Sequence, residues 1–180
     1  MAFHHLAGAT RDVVGNHLFY SRAMGFELVK VEARESPEGG WAKHFFYDTG
    51  NGEMMAFWEL HGAQVPEDFP TGLSEAAGLP AWVNHIAFGS ASVAELEIHR
   101  KRWLENGYDV LEIDHGWCHS VYTTDPNRTL VEWCVTTGEF DAADRARAEA
   151  ALTGDVELDV GKVKIEQFRT ESEPVHQRDR

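Results

Sequence analysis

The feature that most constrains this chain is an internal repeat. "HLA" at 5–7 is answered by "HIA" at 85–87, and "GFELV" at 25–29 by "GYDVL" at 107–111. "YDTGN" at 47–51 is answered by "YTTDPN" at 122–127, and "WEL" at 58–60 by "VEW" at 131–133. His5 precedes Gly25 by 20 residues, and His85 precedes Gly107 by 22. A repeat on this scale means one supersecondary unit used twice. Each copy is too small to cover its own sheet, so the two must pack together and share a cleft.

Each copy reads as strand, helix and three strands. Residues 3–9 form a short strand, and the apolar stripe of 13–24 a helix that Gly25 stops. "FELVKVEA" alternates as a strand, "SPEGG" is a loop, and 41–60 gives two strands turning at Thr49–Gly52. Residues 62–80 make a long connection. In the second copy "VNHIAFGS" is a strand. The helix that follows has Ser92 as N-cap, Glu95 at the capping-box position and Gly107 as its stop. "YDVLEID" is a strand. "SVYTTDPNRTLVEWCV" is a hairpin, with Asn127 expected to take the left-handed backbone of its turn. The expected class is α+β: two βαβββ modules at about 3–62 and 82–137, then an extension over 138–180. In that extension 141–152 reads as a helix capped by Asp141, and 156–168 as a hairpin turning at Gly161–Lys162. The last dozen residues read as solvated or disordered.

Composition narrows the function classes. The chain of 180 residues is 43% hydrophobic with a net charge of −14. That charge repels phosphate backbones, which argues against nucleic acid as a partner. No apolar window is long enough to span a bilayer, and "MAFHHLAGAT" has no signal-peptide character. The two cysteines, Cys118 and Cys134, form no CxxC pair and fit free thiols in a reduced, cytoplasmic compartment.

Strand parity points to a site. In "NHIAF" the bulky Ile86 and Phe88 face one way, His85 and Ala87 the other. In "HHLAGA" Leu6 faces one way, and His5, Ala7 and Ala9 the other. In "LVEWCV" Glu132 sits amid apolar residues, where a carboxylate is costly unless paired or bound to a cation. Each of these residues alone is more often structural. Together, at repeat-equivalent strand positions, they place two histidines and a carboxylate on one cleft. That triad with open positions is typical of non-haem Fe(II) and also suits Mn, Zn or Ni.

On "HHLAGATRDVVGNHLFYSRAMGFELV", "NHIAF", the Tyr122–Asn127 turn and "LVEW", residues 3–137 resemble the vicinal-oxygen-chelate superfamily. Its members include glyoxalase I, extradiol dioxygenases and bleomycin-resistance proteins. The resemblance implies paired βαβββ modules with curled mixed sheets around a divalent metal, held by His5, His85 and Glu132. It also implies a small-molecule substrate and a homodimer. A fourth ligand would come from the last strand of the first copy. An ungapped repeat puts Phe57 there, and a longer hairpin puts Glu59 there. With three ligands, the resemblance implies an extradiol-type dioxygenase using Fe2+ or Mn2+ on a small aromatic vicinal diol. Tyr122 would then stand at the site, ten residues before the ligand Glu, with His115 as acid–base group and His119 or His44 as further candidates. With Glu59 as fourth ligand it implies a glyoxalase-like lyase or isomerase using Zn2+ or Ni2+. A metal-free drug-binding protein is the non-enzymatic alternative.

Overall fold

Strand β1 (His5–Ala9), helix α1 (Val13–Leu18), β2 (Glu27–Glu35), β3 (Trp41–Gly50) and β4 (Glu53–His61) form the first module. After the short α2 (Leu73–Ala76) come β5 (His85–Gly89), α3 (Val93–Glu105), β6 (Val110–Asp114), β7 (Cys118–Thr124) and β8 (Leu130–Thr136). The computed structural model describes residues 3–37, 39–62, 65–154 and 163–179. The two sheets have orders β1-β4-β3-β2 and β5-β8-β7-β6-β9, where β9 is Lys164–Phe168, so each module's first strand is an edge strand running parallel to its last strand. This is the α+β arrangement of two mixed-sheet modules expected from the repeat.

The local signals act where the sequence put them. The Ser92 hydroxyl accepts the amide of Glu95 as expected, but the Glu95 carboxylate reaches one residue further back than a capping box requires, accepting the amide of Ala91 at 2.6 Å rather than that of Ser92. Gly107 has φ +85°, and a Cβ there would lie 2.3 Å from the Glu173 carbonyl. Only glycine fits both the backbone and the crossing chain. Helix α1 is shorter than the apolar stripe predicts: beyond Leu18 the chain widens into a π-turn over Phe19–Ala23. That turn lets Phe19 meet Tyr108 and Tyr20 meet Phe57, with ring centroids 4.9 and 4.6 Å apart. In the β7–β8 turn the left-handed residue is Arg128 (φ +66°), not Asn127. Asn127 is instead buried, and its side-chain amide donates to the Asn16 carbonyl oxygen at 2.7 Å.

The core lies on the faces of the sheets that carry the helices. Phe57, Tyr47 and Tyr20 pack on the first sheet, and Val131, Trp133 and Trp103 on the second. Phe26 joins the two modules, 5.2 Å from Phe88 and 6.0 Å from Trp133 between ring centroids. A buried polar link reinforces this seam: the Tyr20 hydroxyl donates to Asp125 at 2.9 Å, and Asp125 also accepts the Thr129 amide and the Asn127 side chain. Burial pushes the Asp125 carboxyl up to about 6 against these hydrogen bonds, which pull it down.

The extension differs from expectation at its end. Helix α4 (Ala142–Ala151) forms as predicted, with a capping box between Asp141 and Asp144. The expected turn at Gly161–Lys162 lies outside the described residues, but β9 (Lys164–Phe168) pairs with β6. The last residues are mostly exposed, as expected, but they are structured rather than disordered. Helix α5 (Val175–Arg178) buries Val175 completely, and the Tyr108 hydroxyl lies 2.6 Å from His176 Nδ1. One apolar anchor and an aromatic hydrogen bond outweigh the polar composition that suggested disorder.

Candidate metal centre

The faces of the sheets opposite the helices carry the site residues. On the second sheet His85 and Ala87 of β5 lie beside Leu130 and Glu132 of β8, and Glu132 pairs directly with Tyr122 of β7. Glu132 is only 5% exposed in a strand otherwise apolar. Its Oε2 lies 3.1 Å from His85 Nε2. The other ring nitrogen, Nδ1, donates to the Trp82 carbonyl at 3.1 Å. That bond fixes the tautomer, so a neutral ring turns the lone pair of Nε2 toward the carboxylate. Two acceptors facing each other at this distance are satisfied by a proton or by a cation, which is the donor chemistry of a metal-binding pair.

Tyr122 and His115 complete this half. His115 Nε2 is 3.1 Å from the Tyr122 hydroxyl, and the Tyr122 and His85 ring centroids are 6.4 Å apart. Desolvation holds the Tyr122 hydroxyl well above its ordinary range, opposed by Ser120 and reinforced by the charge of Glu132. Tyr122 therefore stays protonated at neutral pH and can donate a hydrogen bond. His119 is not part of this group. It faces the helix side, where its Nε2 meets Glu112 at 2.9 Å and Arg100 meets the same carboxylate at 2.7 Å.

The first sheet places its histidines differently. His5 is exposed at the start of β1, its ring centroid 5.6 Å from Phe46 and 6.0 Å from His44. His4 also touches it, Nδ1 to Nδ1 at 2.8 Å. His44 is not a surface residue at a strand end. It is 6% exposed in mid-sheet and stacks on Trp58 at 3.7 Å, with no hydrogen-bond partner for its Nε2. Burial, and then the neighbouring His5, lower its pKa. Among the described residues no three His, Cys, Asp or Glu side chains are close enough to hold a metal ion, so His5 stands apart from the His85–Glu132 pair.

Register resolves which residue of β4 corresponds to Glu132. Ala87 pairs with Glu132, and Ala7 with Ala56. Tyr122 pairs with Glu132, and Phe46 with Ala56. The equivalent position is Ala56, neither Phe57 nor Glu59. Both of those share the helix-bearing face with Tyr47, where Phe57 is buried in the core. Glu59 is held there by Lys43 at 3.0 Å and His61 at 2.8 Å, and its pKa falls because these partners outweigh its burial. The structure does not bring Glu59 to the face of His5.

Paired βαβββ modules, with a histidine–carboxylate pair on the open face of the second, define a recognisable class of protein. The sequence model of the Glyoxalase/Bleomycin resistance protein/Dioxygenase superfamily matches residues 2–133, and the chain belongs to that superfamily. Solved structures agree in fold. SMU.1112c is 18% identical with a TM-score of 0.57, covering 74% of this chain and 98% of its own. A glyoxylase/bleomycin resistance protein/dioxygenase domain from Frankia sp. EAN1pec is 13% identical with a TM-score of 0.55, covering 76% and 98%. TnmS3, an antibiotic-binding protein from Streptomyces sp. CB03234, is 11% identical with a TM-score of 0.50, covering 76% and 97%. No curated protein matches the chain. No helix among the described residues is long and apolar enough to cross a membrane.

Proposed function

We propose that the chain is a metal-dependent member of its superfamily with three protein ligands, His5, His85 and Glu132, acting on a small aromatic vicinal diol by extradiol-type dioxygenation. The observation that carries the three-ligand reading is the register: Ala56 stands where a fourth ligand would, and Glu59 is engaged on the other face. A divalent ion in this set supplies Lewis acidity toward two neighbouring oxygens and, as Fe2+ or Mn2+, access to dioxygen.

The chain's own contributions follow from the geometry. The Trp82 carbonyl keeps His85 in the tautomer that presents Nε2. Glu132, buried beside it, contributes the negative charge that makes the pocket selective for a cation. Tyr122 keeps its proton at neutral pH and would donate a hydrogen bond to a substrate oxygen, and His115, 3.1 Å from the Tyr122 hydroxyl, would be the acid–base group. Glyoxalase-like isomerisation with Glu59 as fourth ligand would require that residue to leave both Lys43 and His61 and cross the sheet.

The non-catalytic reading has one observation in its favour: His5 is not closed onto the His85–Glu132 pair. A single experiment separates the two. Chelator-treated protein is titrated with Fe2+, Mn2+, Zn2+ and Ni2+ while its melting temperature is followed, in wild type and in Glu132→Gln. A metal-dependent rise that the variant lacks, with consumption of dioxygen in the presence of catechol, supports the enzyme. Identical curves with and without every metal rule it out and favour the binding protein.

A further inference from the structure

The second sheet carries a pair of donors that the proposed chemistry does not use. Cys118 of β7 and Cys134 of β8 share the open face with Tyr122 and Glu132, because each lies an even number of residues along its strand from one of them. Ser120 is the direct partner of Cys134, and Thr136 of Cys118, so the two cysteines are diagonal neighbours across the ladder. Both are free thiols, Cys118 buried and Cys134 half-buried. The Cys118 sulfur lies 3.9 Å from the Ser120 hydroxyl. Burial pushes the Cys118 thiol up to about 11, and Cys134, near enough to act on it by charge and hydrogen bonding, pushes it the same way.

Geometry and donor type select what can join these sulfurs. Diagonal cross-strand neighbours sit about 7–8 Å apart, and beyond about 7 Å a disulfide closes only if the backbone moves. A metal ion reaches further: with metal–sulfur bonds of about 2.3 Å it spans sulfurs about 4.6 Å apart. Among the described residues no third His, Cys, Asp or Glu completes a cluster, so the ion must accept two ligands. Thiolates select soft ions, Cu+ among them. Cys118 is covered, so such an ion enters from the open face past Cys134.

We infer that Cys118 and Cys134 form a two-coordinate site for a thiophilic cation of the Cu+ class. On binding, each sulfur releases its proton to solvent as a metal–sulfur bond forms, with no change of oxidation state. Cys134 lies one pleat along β8 from Glu132, so one face presents a nitrogen–oxygen pair and a sulfur pair side by side and sorts cations between them by softness. The sulfur pair does not depend on the proposed reaction.

The test uses the full chain, reduced, chelator-treated and kept anaerobic, with Cu+ delivered as its bicinchoninate complex. The wild type should withdraw one Cu+ per chain without changing its size in solution. Cys134→Ser and Cys118→Ser should each lower that affinity by more than about a hundredfold, the upper end for losing a mere outer partner. Should Cys118→Ser fail to fold, Cys134→Ser and Cys134→Ala decide. His85→Ala should bind Cu+ as the wild type does. No withdrawal of Cu+, equal affinity in Cys134→Ser, loss of binding in His85→Ala, or pairing of chains by Cu+ would each overturn the inference. None of these readings involves turnover or a divalent ion, so the site stands or falls separately from the proposed function.

Discussion

Compare the open faces of the two modules at matching register. The first has Phe46 opposite Ala56, with His44 and Trp58 beside them. The second has Tyr122 opposite Glu132, with Ser120 and Cys134 in the places of His44 and Trp58. One backbone plan therefore supports two kinds of surface. The first is aromatic and small-walled, suited to shape. The second is acidic and hydroxylic, suited to holding a cation and moving a proton. The turns diverge in the same way. In the first module Asp48 is exposed and caps only its own turn through the Gly50 amide, whereas in the second Asp125 is buried and reaches across to Tyr20.

The comparison is most severely tested by removing what the second face has. Glu132→Gln should reduce metal affinity by more than the roughly ten- to hundredfold typical of losing an outer partner, and should abolish turnover. Calorimetric titration with Mn2+ checks it, and unchanged affinity would mean the carboxylate is only a structural ion-pair partner. Next in size is a stability contrast within β4. Phe57→Ala should cost about 3–5 kcal/mol in urea unfolding, because the ring is fully in the core. Trp58→Ala, next to it but on the open face, should cost clearly less. Equal costs would contradict the assignment of faces.

Asp125 provides a pH test of the seam. Its carboxyl is harder to ionise folded than unfolded, so the protonated form favours the fold. The stabilisation is complete below the ordinary value of 3.8 and is lost as pH rises through about 6. The shift corresponds to about 2 kcal/mol between pH 4 and pH 7. Asp125→Asn should flatten that part of the stability profile, and a profile that stays steep would place the titration elsewhere. Tyr122→Phe makes the two faces alike at this position. It should lower turnover by about a hundredfold with metal affinity unchanged, the low end for a positioned proton donor. The smallest effect belongs to Glu59→Gln: under about 1 kcal/mol of stability, since its partners Lys43 and His61 are partly exposed, and no change in metal affinity. A large loss of metal binding in this variant would restore Glu59 as a ligand.

Much of this was legible because local signals agreed with the repeat. The helix stops at Gly25 and Gly107, the Ser92 cap and the hairpin over 41–60 all form near their expected bounds. Strand parity and the repeat together put His5, His85 and Glu132 on one cleft, and of these the structure sets His85 and Glu132 3.1 Å apart. The misreadings came from matching letters across the copies. "WEL" resembles "VEW", and Tyr47 resembles Tyr122, but the register pairs Phe46 with Ala56. A slip of one residue turns every side chain of a strand to the opposite face. Tyr47 is thus a core residue, while Tyr122 lines the site. The stack of His44 on Trp58 is not encoded in either strand alone, because it is made across two strands whose register is set by the Asn51–Gly52 turn.

By itself, then, the sequence determined the duplicated α+β plan, because that depends on periodicity, caps and turns, and its motifs carried the resemblance to the superfamily whose model matches residues 2–133. Tertiary structure decided what periodicity cannot encode. It turned Glu59 and His119 toward neighbouring charges on the helix faces. It buried Val175 and so folded the polar C-terminus back onto the body. It also set Ala56 opposite Phe46, leaving the first module open where the second is charged. Each of these outcomes is a choice of face or partner, fixed by cross-strand register and by which buried charges find company.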